Sequence, residues 1–300
     1  MKRKDRIIIA LDFDSDTEAL SLVGKLKGKI NFFKVGSQLF TKCGGAVVEK
    51  IASLGADVFL DLKFHDIPNT VRGSAVSACS LGVKIFNVHA SGGRKMMEEA
   101  VKAAKNHKPS PIVLGVTVLT SMSSDDLCET GVERKVEDQV LRLANLAKES
   151  GLDGVVSSAK EIEMIKKECG RDFIVLTPGI RPVWASADDQ KRIVTPEIAF
   201  NKGADYIVIG RAVTSAPDPV EAADKILGVM GVVMIQYAIA IGSVSLVNAL
   251  NGLQYALIVI LVALFSKFAP RIFKEQYTRS EIWQEIIAVG IIGAGLVLLI

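Results

Sequence analysis

Eight short apolar runs, rich in β-branched residues, alternate with amphipathic segments through residue 226, and this alternation constrains the fold most strongly. The runs are RIIIALDF, INFFKVG, DVFLDLKF, KIFNVHA, PIVLGVTVL, GVVSSA, FIVLTPGI and DYIVIGRAV. The segments between them repeat apolar residues at the spacing of amphipathic helices. Apolar runs of this kind are predicted strands, and their alternation with helices is typical of a parallel sheet covered by helices. Eight such strand–helix units predict a closed (β/α)8 barrel, the TIM barrel. An open doubly wound sheet is the alternative, because periodicity alone can miscount strands.

The third run continues into a charged segment, DVFLDLKFHDIPNTV, over residues 57–71. Since side chains alternate along a strand, Asp61 and Lys63 are predicted to share the inner face at its carboxyl end, where barrels build their active sites. Pro68 suits the first turn of a following helix, which places Asp66 in the loop above the barrel mouth. A purely structural Asp61–Lys63 ion pair is the alternative, although buried pairs contribute little stability and a second carboxylate lies close by.

Two other strand ends carry charges of the same kinds. Asp12 follows the first run, and Lys34 lies in the second, FFKVG. Carboxylates crowded into one mouth resist joint ionisation unless a cation lies between them, and each lysine beside them is held charged. Alternating lysines and carboxylates therefore predict a site that stores electrostatic free energy for a reaction.

The last two strands indicate a phosphate site. Gly179 in TPGIRP and Gly210 in VIGRAV would let backbone approach an anion, while Arg181 and Arg211 would supply forked donors. Barrels commonly bind phosphate at these two loops. Gln190, in the loop DDQKRIVTP, is a candidate amide donor to the same anion. Each Gly/Arg pair alone could equally be a surface turn.

Charge and cysteine usage exclude several classes of protein. The formal net charge of +3 comes from intermixed signs, and the longest basic run is a solvated N-terminus, so we predict no nucleic-acid partner. The four cysteines are far apart and lack a CxxC pair or a histidine cluster, which argues against a zinc site or a disulfide framework. We therefore expect no metal and a cytoplasmic location.

Seven motifs in order, LDFDS, FFKVG, DLKFHDIPNTV, VTVLTSM, TPGIRP, DQKRIVTP and IGRAVTSAPDP, carry a family resemblance. Across about residues 5–226 the chain resembles the orotidine 5'-phosphate decarboxylase family. The resemblance implies a (β/α)8 barrel that works as a homodimer with active sites at the subunit interface. It also implies decarboxylation of orotidine 5'-phosphate to uridine 5'-phosphate, a step of de novo pyrimidine biosynthesis, without a metal or organic cofactor.

The resemblance assigns the catalytic roles residue by residue. Lys34, Asp61 and Lys63 of one subunit would form a charged network with Asp66 of the partner subunit. Lys63 would donate a proton to C6 of the pyrimidine, and Asp61 would lie beside the departing carboxylate. We expect preorganised charge that favours the carbanion to contribute more than repulsion of the substrate.

Further residues would bind the substrate. By the same resemblance, Asp12 and Lys34, with Asp66 and Thr70 contributed by the partner subunit, would hold the ribose hydroxyls. Thr120 and Ser121 would face the pyrimidine. The phosphate would be bound by Gln190, Gly210 and Arg211, with Arg181 nearby. Asp61 and Ile67 complete the predicted substrate-binding set. His65 and His89 are interpreted as packed or hydrogen-bonded histidines and not as site residues.

Two other functions compete with this one. Magnesium-dependent sugar-phosphate decarboxylases and synthases of the same barrel group share the DxKxxD pattern, but that group places an acidic metal ligand where this chain has Lys34. A lysine there repels a cation, and DIPNT favours the orotidine branch. The other alternative is a membrane protein that uses a degenerate barrel only for binding. Loss of Lys34, Asp61, Lys63 or Asp66 would favour that alternative, but all four residues are present.

Residues 227–300 form a second, hydrophobic part of the chain. The 41 residues between Lys225 and Lys267 carry no charge, and IIAVGIIGAGLVLLI closes the sequence. One straight helix of that length would span about 60 Å at ~1.5 Å per residue, about twice the hydrocarbon core of a bilayer, so it must fold back. We predict a transmembrane helical tail with two or three crossings over about residues 228–300, and the basic loop from Lys267 to Arg279 on the cytoplasmic side.

The origin of this tail has several interpretations. It weakly resembles the last helices of a drug/metabolite-transporter-type membrane protein, but too few helices are present to form a transport path. A membrane anchor, a fusion remnant and an artefact of gene prediction or sequencing all remain open. A helical hairpin packed on the barrel is the soluble alternative, although so long an apolar run is hard to keep in water.

Overall fold

The computed structural model describes residues 3–185 and 194–228. Within them, eight parallel strands close into a barrel in chain order, which confirms the predicted (β/α)8 architecture and excludes the open sheet. The strands, β1 to β8, are Ile7–Ala10, Phe32–Gly36, Asp57–Phe64, Ile85–His89, Ile112–Val116, Gly154–Val156, Ile174–Thr177 and Tyr206–Ile209. Strand β8 pairs with β1, so the sheet has no open edge.

Helices cover the outside of the barrel. In chain order, α1 to α10 are Asp16–Leu26, Ser37–Cys43, Ala46–Ser53, Pro68–Ser80, Arg94–Lys105, Ser124–Glu129, Val136–Glu149, Ile162–Cys169, Pro196–Asn201 and Arg211–Thr214, and residues 219–228 are also helical. Side-chain caps begin several of them: Ser15 accepts a hydrogen bond from the backbone N–H of Glu18, and Ser123 forms a capping box with Asp126. Helix α4 begins at Pro68, as predicted.

The interior of the barrel is filled by alternate residues of the strands. Phe32 and Tyr206 meet edge to face there, with ring centroids 5.9 Å apart. The buried cluster also contains Ile8, Ala10, Phe59, Ile85, Leu114, Val116, Val156, Leu176 and Val208. Because inward positions recur every second residue, the next inward positions toward the carboxyl ends are free to carry polar groups. The apolar filling thus leaves the mouth of the barrel for chemistry.

Strands β3 and β4 do not pair regularly. Leu60 pairs with Phe86 and Phe64 pairs with Val88, so three residues of β3 lie opposite one residue of β4, Asn87. A bulge of this kind bends the strand and re-aims its side chains. The strict alternation predicted through the end of β3 is therefore interrupted just where the charged residues begin.

The described residues all belong to the first compact unit of the chain, Met1–Val229. Within residues 3–185 and 194–228, none of the helices combines the length and apolar character that a membrane crossing requires. The hydrophobic part of the chain, residues 227–300, with its predicted transmembrane tail, lies outside the described residues except for positions 227 and 228. All four cysteines are free thiols.

Candidate active site

Asp61 lies at the centre of the charged network in the barrel mouth. Its Oδ1 is 2.7 Å from Nζ of Lys63, and its Oδ2 is 3.6 Å from Nζ of Lys34. Lys34 also donates to Oδ1 of Asp12 at 3.0 Å. The structure therefore brings four sequence-predicted residues, from the ends of β1, β2 and β3, into one continuous arrangement of alternating charge.

Opposing effects set the ionisation of Asp61, whose side chain is only 13% exposed. Burial raises the pKa of this carboxyl, while the charges of Lys34 and Lys63 and the hydrogen bonds from Lys63 and Asn87 lower it. The lowering effects win, so the pKa lies below its ordinary value. Asp61 is consequently a buried carboxylate anion at neutral pH, held by two ammonium groups.

Lys63 adopts an unusual backbone conformation. Its φ of 52° is the only positive φ of a non-glycine residue in the described part of the chain. A left-handed non-glycine residue costs on the order of 1 kcal/mol, and such strain is typical of functional sites. The left-handed conformation of Lys63 coincides with the β3 bulge, and in this conformation the Lys63 ammonium donates to the carboxylate of Asp61.

Asn87 is a residue of the site that our sequence analysis did not identify. Its side chain is fully buried. Its Nδ2 donates to Oδ1 of Asp61 at 2.7 Å, and its Oδ1 accepts from the backbone N–H of Lys63 at 2.8 Å. The available signal was an amide side chain between the apolar residues Phe86 and Val88 of KIFNVHA, at an inward position two residues after Ile85.

The rings of the two histidines near the site contact each other in a tilted arrangement. The rings of His65 and His89 are 5.3 Å apart with an interplanar angle of 38°. Burial lowers the pKa of His89, and the positive charges of His65 and Lys63 lower it further, against the opposing effect of Asp61. The contact and the partial burial agree with the interpretation of His89 as a packed histidine.

The segment that was predicted to reach a partner subunit is exposed. Asp66 accepts a hydrogen bond from the backbone N–H of Ile67 at 2.6 Å, and the Ile67 side chain is 66% exposed. Thr70 is exposed in the first turn of α4. Within the described chain, no hydrogen bond or ion pair joins Asp66 to Lys63. One chain alone therefore does not bring these three residues into the network.

A cavity of about 220 Å³ lies beside Lys34 and Asp12 at the ends of β7, β8 and β1. Arg181 and Arg211 both line it, together with Gly179 and Gly210. Gly179 has a φ of 74°, which favours glycine there. The predicted phosphate residues are thus gathered beside the charged network, except Gln190, which lies outside the described residues. Thr120 and Ser121 are exposed in the loop after β5.

The described residues contain no group of three or more His, Cys, Asp or Glu side chains arranged to hold a metal ion. The charged side chains next to both oxygens of Asp61 are lysines, which do not bind cations.

Residues 5–226 match the orotidine 5'-phosphate decarboxylase / HUMPS family. The chain belongs to this family. It is 50% identical over 232 residues to an orotidine 5'-phosphate decarboxylase of Syntrophotalea carbinolica, covering 76% of this chain and 95% of the relative. It is 51% identical over 235 residues to that of Syntrophomonas wolfei, covering 76% and 98%.

A solved structure supports the same relationship. The crystal structure of orotidine 5'-phosphate decarboxylase from Lactobacillus acidophilus aligns with a TM-score of 0.67 and 38% identity, over 75% of this chain and 98% of that chain. A crystal structure of an uncharacterized conserved protein from Geobacillus kaustophilus aligns with a TM-score of 0.66 and 40% identity. The predicted family is therefore confirmed for the barrel.

Proposed function

We propose that this protein decarboxylates orotidine 5'-phosphate to uridine 5'-phosphate, as a carboxy-lyase of de novo pyrimidine biosynthesis. The observation that carries the proposal is the buried carboxylate of Asp61 between two lysine ammoniums, next to a cavity lined by two arginines. Two relatives that are about 50% identical to this chain over nearly their full length carry the name orotidine 5'-phosphate decarboxylase, which supports the proposal. A magnesium-dependent sugar-phosphate reaction fits less well, because Lys34 lies 3.6 Å from the carboxylate that would have to bind the metal.

The chemistry follows from the order of groups in the mouth. Arg181 and Arg211 bind the phosphate, and the remote binding energy holds the pyrimidine over Asp61 and Lys63. The bond between C6 and the carboxylate carbon breaks, carbon dioxide leaves, and the electron pair stays on C6. A proton then passes from Nζ of Lys63 to C6, which yields the product and a neutral amine that regains a proton from solvent.

Preorganised charge is the main contribution of the protein to this reaction. The Lys63 ammonium is already fixed by a 2.7 Å hydrogen bond to Asp61, so it need not reorganise as negative charge develops at C6. The Asp61 anion also disfavours a substrate carboxylate beside it, which favours departure of carbon dioxide. Lys34 and Asp12, joined at 3.0 Å, are placed to bind the ribose hydroxyls.

Pyrimidine recognition is assigned to the loop after β5. Thr120 and Ser121 lie there with exposed side chains. Gln190 is assigned to the phosphate with Gly210 and Arg211. The assignment of Gln190 rests on the family motif alone, and the other assignments also rest on the position of these residues after β5 and β8, at the carboxyl end of the barrel.

The catalytic test uses the purified chain treated with chelator. We expect conversion of orotidine 5'-phosphate to uridine 5'-phosphate without added metal, and loss of nearly all turnover in Lys63→Ala. Lys167→Ala, an exposed lysine on α8, is the matched control and should retain full activity. A strict magnesium requirement, or full activity in Lys63→Ala, would transfer the assignment to the sugar-phosphate branch or to a binding domain.

The protein acts as a homodimer in which Asp66, Ile67 and Thr70 complete the site of the neighbouring subunit. Two apolar side chains of this segment, Ile67 before α4 (66%) and Val76 within α4 (42%), are exposed in the single chain, which supports their burial against a second copy. Mixed Lys63→Ala and Asp66→Asn chains should regain part of the wild-type activity, because each heterodimer contains one intact site. Subunits that exchange but remain inactive would place Asp66 in its own chain's site.

The catalytic barrel lies in the cytoplasm and is anchored by the tail. The charge-free run of 41 residues supports this, because burial of apolar surface in lipid is favourable by roughly 25 cal/mol per Å². The full chain should sediment with membranes and resist alkaline carbonate extraction, whereas residues 1–228 alone should remain in the supernatant with full activity. Recovery of the full chain as a soluble, non-aggregated dimer would refute the anchor.

A further inference from the structure

Asn87 occupies a special place in the pairing of β3 and β4. It is the one β4 residue opposite the three-residue bulge from Asp61 to Lys63, and its side chain is fully buried. The bulge removes the regular ladder partners of this segment. The side-chain amide of Asn87 takes their place, since it accepts from the backbone N–H of Lys63 and donates to Asp61.

We propose that Asn87 is a positioning residue for the decarboxylation, and that its amide holds Lys63 in the left-handed turn that aims the Lys63 ammonium at the reacting carbon. The inference rests on the proposed function. Three hydrogen bonds connect Asp61, Lys63 and Asn87. Oδ1 of Asp61 accepts from Nδ2 of Asn87 and from Nζ of Lys63, each at 2.7 Å. Oδ1 of Asn87 accepts from the backbone N–H of Lys63 at 2.8 Å. The two ends of Lys63 are therefore tied to the same small network.

The chemistry of an amide suits this position better than that of other side chains. It presents a donor and an acceptor together and carries no charge, so it satisfies the Asp61 anion and the Lys63 N–H at once. An aspartate has the same shape but loses the donor and adds a negative charge beside Asp61. An alanine loses both hydrogen bonds and leaves the Lys63 turn without side-chain support.

The expected defect is in the chemical step. A shift of about 1 Å in a reacting group can reduce the rate about 100-fold. Binding of the phosphate end should change little, because Arg181 follows β7 and Arg211 begins α10 after β8, whereas the side-chain hydrogen bonds of Asn87 go to Asp61 and Lys63. A decrease in kcat without a matching change in KM is thus the signature of positioning.

The experiment compares Asn87→Asp and Asn87→Ala with the wild-type chain. It measures kcat and KM for orotidine 5'-phosphate, Kd for uridine 5'-phosphate by calorimetry, and the thermal unfolding temperature. Ser150→Ala is the control, because it removes another polar contact of a buried residue, from the Ser150 hydroxyl to the carbonyl of Leu146 at 2.7 Å, at the C-cap of the outer helix α7. We expect kcat to fall about 100-fold in both Asn87 variants. KM and Kd should stay near wild type, and the control should lose stability but not kcat.

The outcomes separate the inference from the proposed function. If the wild-type chain does not convert orotidine 5'-phosphate, the proposed function fails. If it does, wild-type kcat in a folded Asn87 variant overturns the positioning role, as does a rise in KM with kcat unchanged. Failure of both variants to fold would give Asn87 a purely structural role and would also overturn the inference.

Discussion

The ammonium of Lys34 lies where a side chain at Gly36 would begin: a Cβ built at Gly36 comes 2.7 Å from Nζ of Lys34 and 3.5 Å from Oδ1 of Asp12. Both residues are in β2 and, two positions apart, they share the inner face of the barrel. Glycine at position 36 therefore provides the space in which the Lys34 end of the charged network forms.

Gly36→Ala should reduce catalysis with little loss of stability. The methyl group displaces the flexible end of Lys34 from Asp12 and Asp61, so we expect kcat/KM to fall about 10-fold or more. Gly24→Ala is the matched control, since a Cβ at this position, in the last turn of α1, meets nothing within 4 Å. In Gly24→Ala the free energy of unfolding should increase by up to about 1 kcal/mol, and the activity should stay at the wild-type level. Unchanged kcat/KM in Gly36→Ala would show that the Lys34 position is not critical.

Arg211→Ala should weaken binding of the phosphate. A hydrogen bond to a charged group contributes about 1.5–3 kcal/mol, so we expect KM for orotidine 5'-phosphate to rise about 10- to 100-fold. Arg142→Ala, an exposed arginine on α7, should leave KM unchanged. The nucleoside orotidine, which lacks the phosphate, is the substrate control. If Arg211→Ala impairs turnover of orotidine as strongly, Arg211 does not act through the phosphate.

The burial of His89 predicts a pH dependence of stability. Its pKa in the folded chain is below the ordinary value of 6.5 because of burial and the positive charges of His65 and Lys63, with Asp61 opposing. As pH falls below 6.5, the unfolded chain takes up the proton first. Stability is therefore lost between 6.5 and the folded pKa.

Denaturant titrations of wild type and His89→Gln at several pH values test this expectation. The free energy of unfolding of the wild type should decrease between pH of about 7 and 5 more steeply than that of the variant. Parallel curves would show that the protonation of His89 does not differ between the folded and unfolded chains.

A lysine at the opposite end of the barrel should affect stability and not activity. Nζ of Lys166 donates to the carbonyls of Arg171 and Phe173 and to Asp205, at 2.6–2.9 Å, with its side chain only 13% exposed. Lys166→Ala should lower the free energy of unfolding by about 2 kcal/mol, because the partly buried carboxylate of Asp205 loses the Lys166 cation and keeps the hydrogen bond from the backbone N–H of Val175. Turnover should be unchanged. Lys167→Ala, at the exposed neighbouring position, should change neither the free energy of unfolding nor turnover.

Much of the charged site was predictable from local patterns. Asp12, Lys34, Asp61 and Lys63 stand at the ends of apolar runs, and parallel strands bring these ends to one mouth. The glycine and arginine residues after β7 and β8 were gathered in one cavity for the same reason. The role of Gln190 stays a prediction, since that residue lies outside the described chain.

Asn87 shows why the rest could not be predicted. Its contacts depend on a three-against-one mismatch between β3 and β4, and no pattern within either strand encodes that mismatch. The positive φ of Lys63 could not be predicted for the same reason, because regular alternation of side chains predicts a continuous strand there. Alternation placed Lys63 near Asp61, but the contact is made through a bulge.

The number of strands and the residues at their carboxyl ends could be predicted from the amino-acid sequence alone, because hydrophobic periodicity and chain direction are local properties. Three other features become visible only in the folded barrel: Asn87 joins Asp61 to Lys63, Gly36 leaves space for Lys34, and Asp66 lies apart from the network in a single chain. All three depend on which residues of neighbouring strands and loops come together. Which atoms meet between two strands depends on both strands and on the turns and bulges between them, and these are set by packing of the whole barrel.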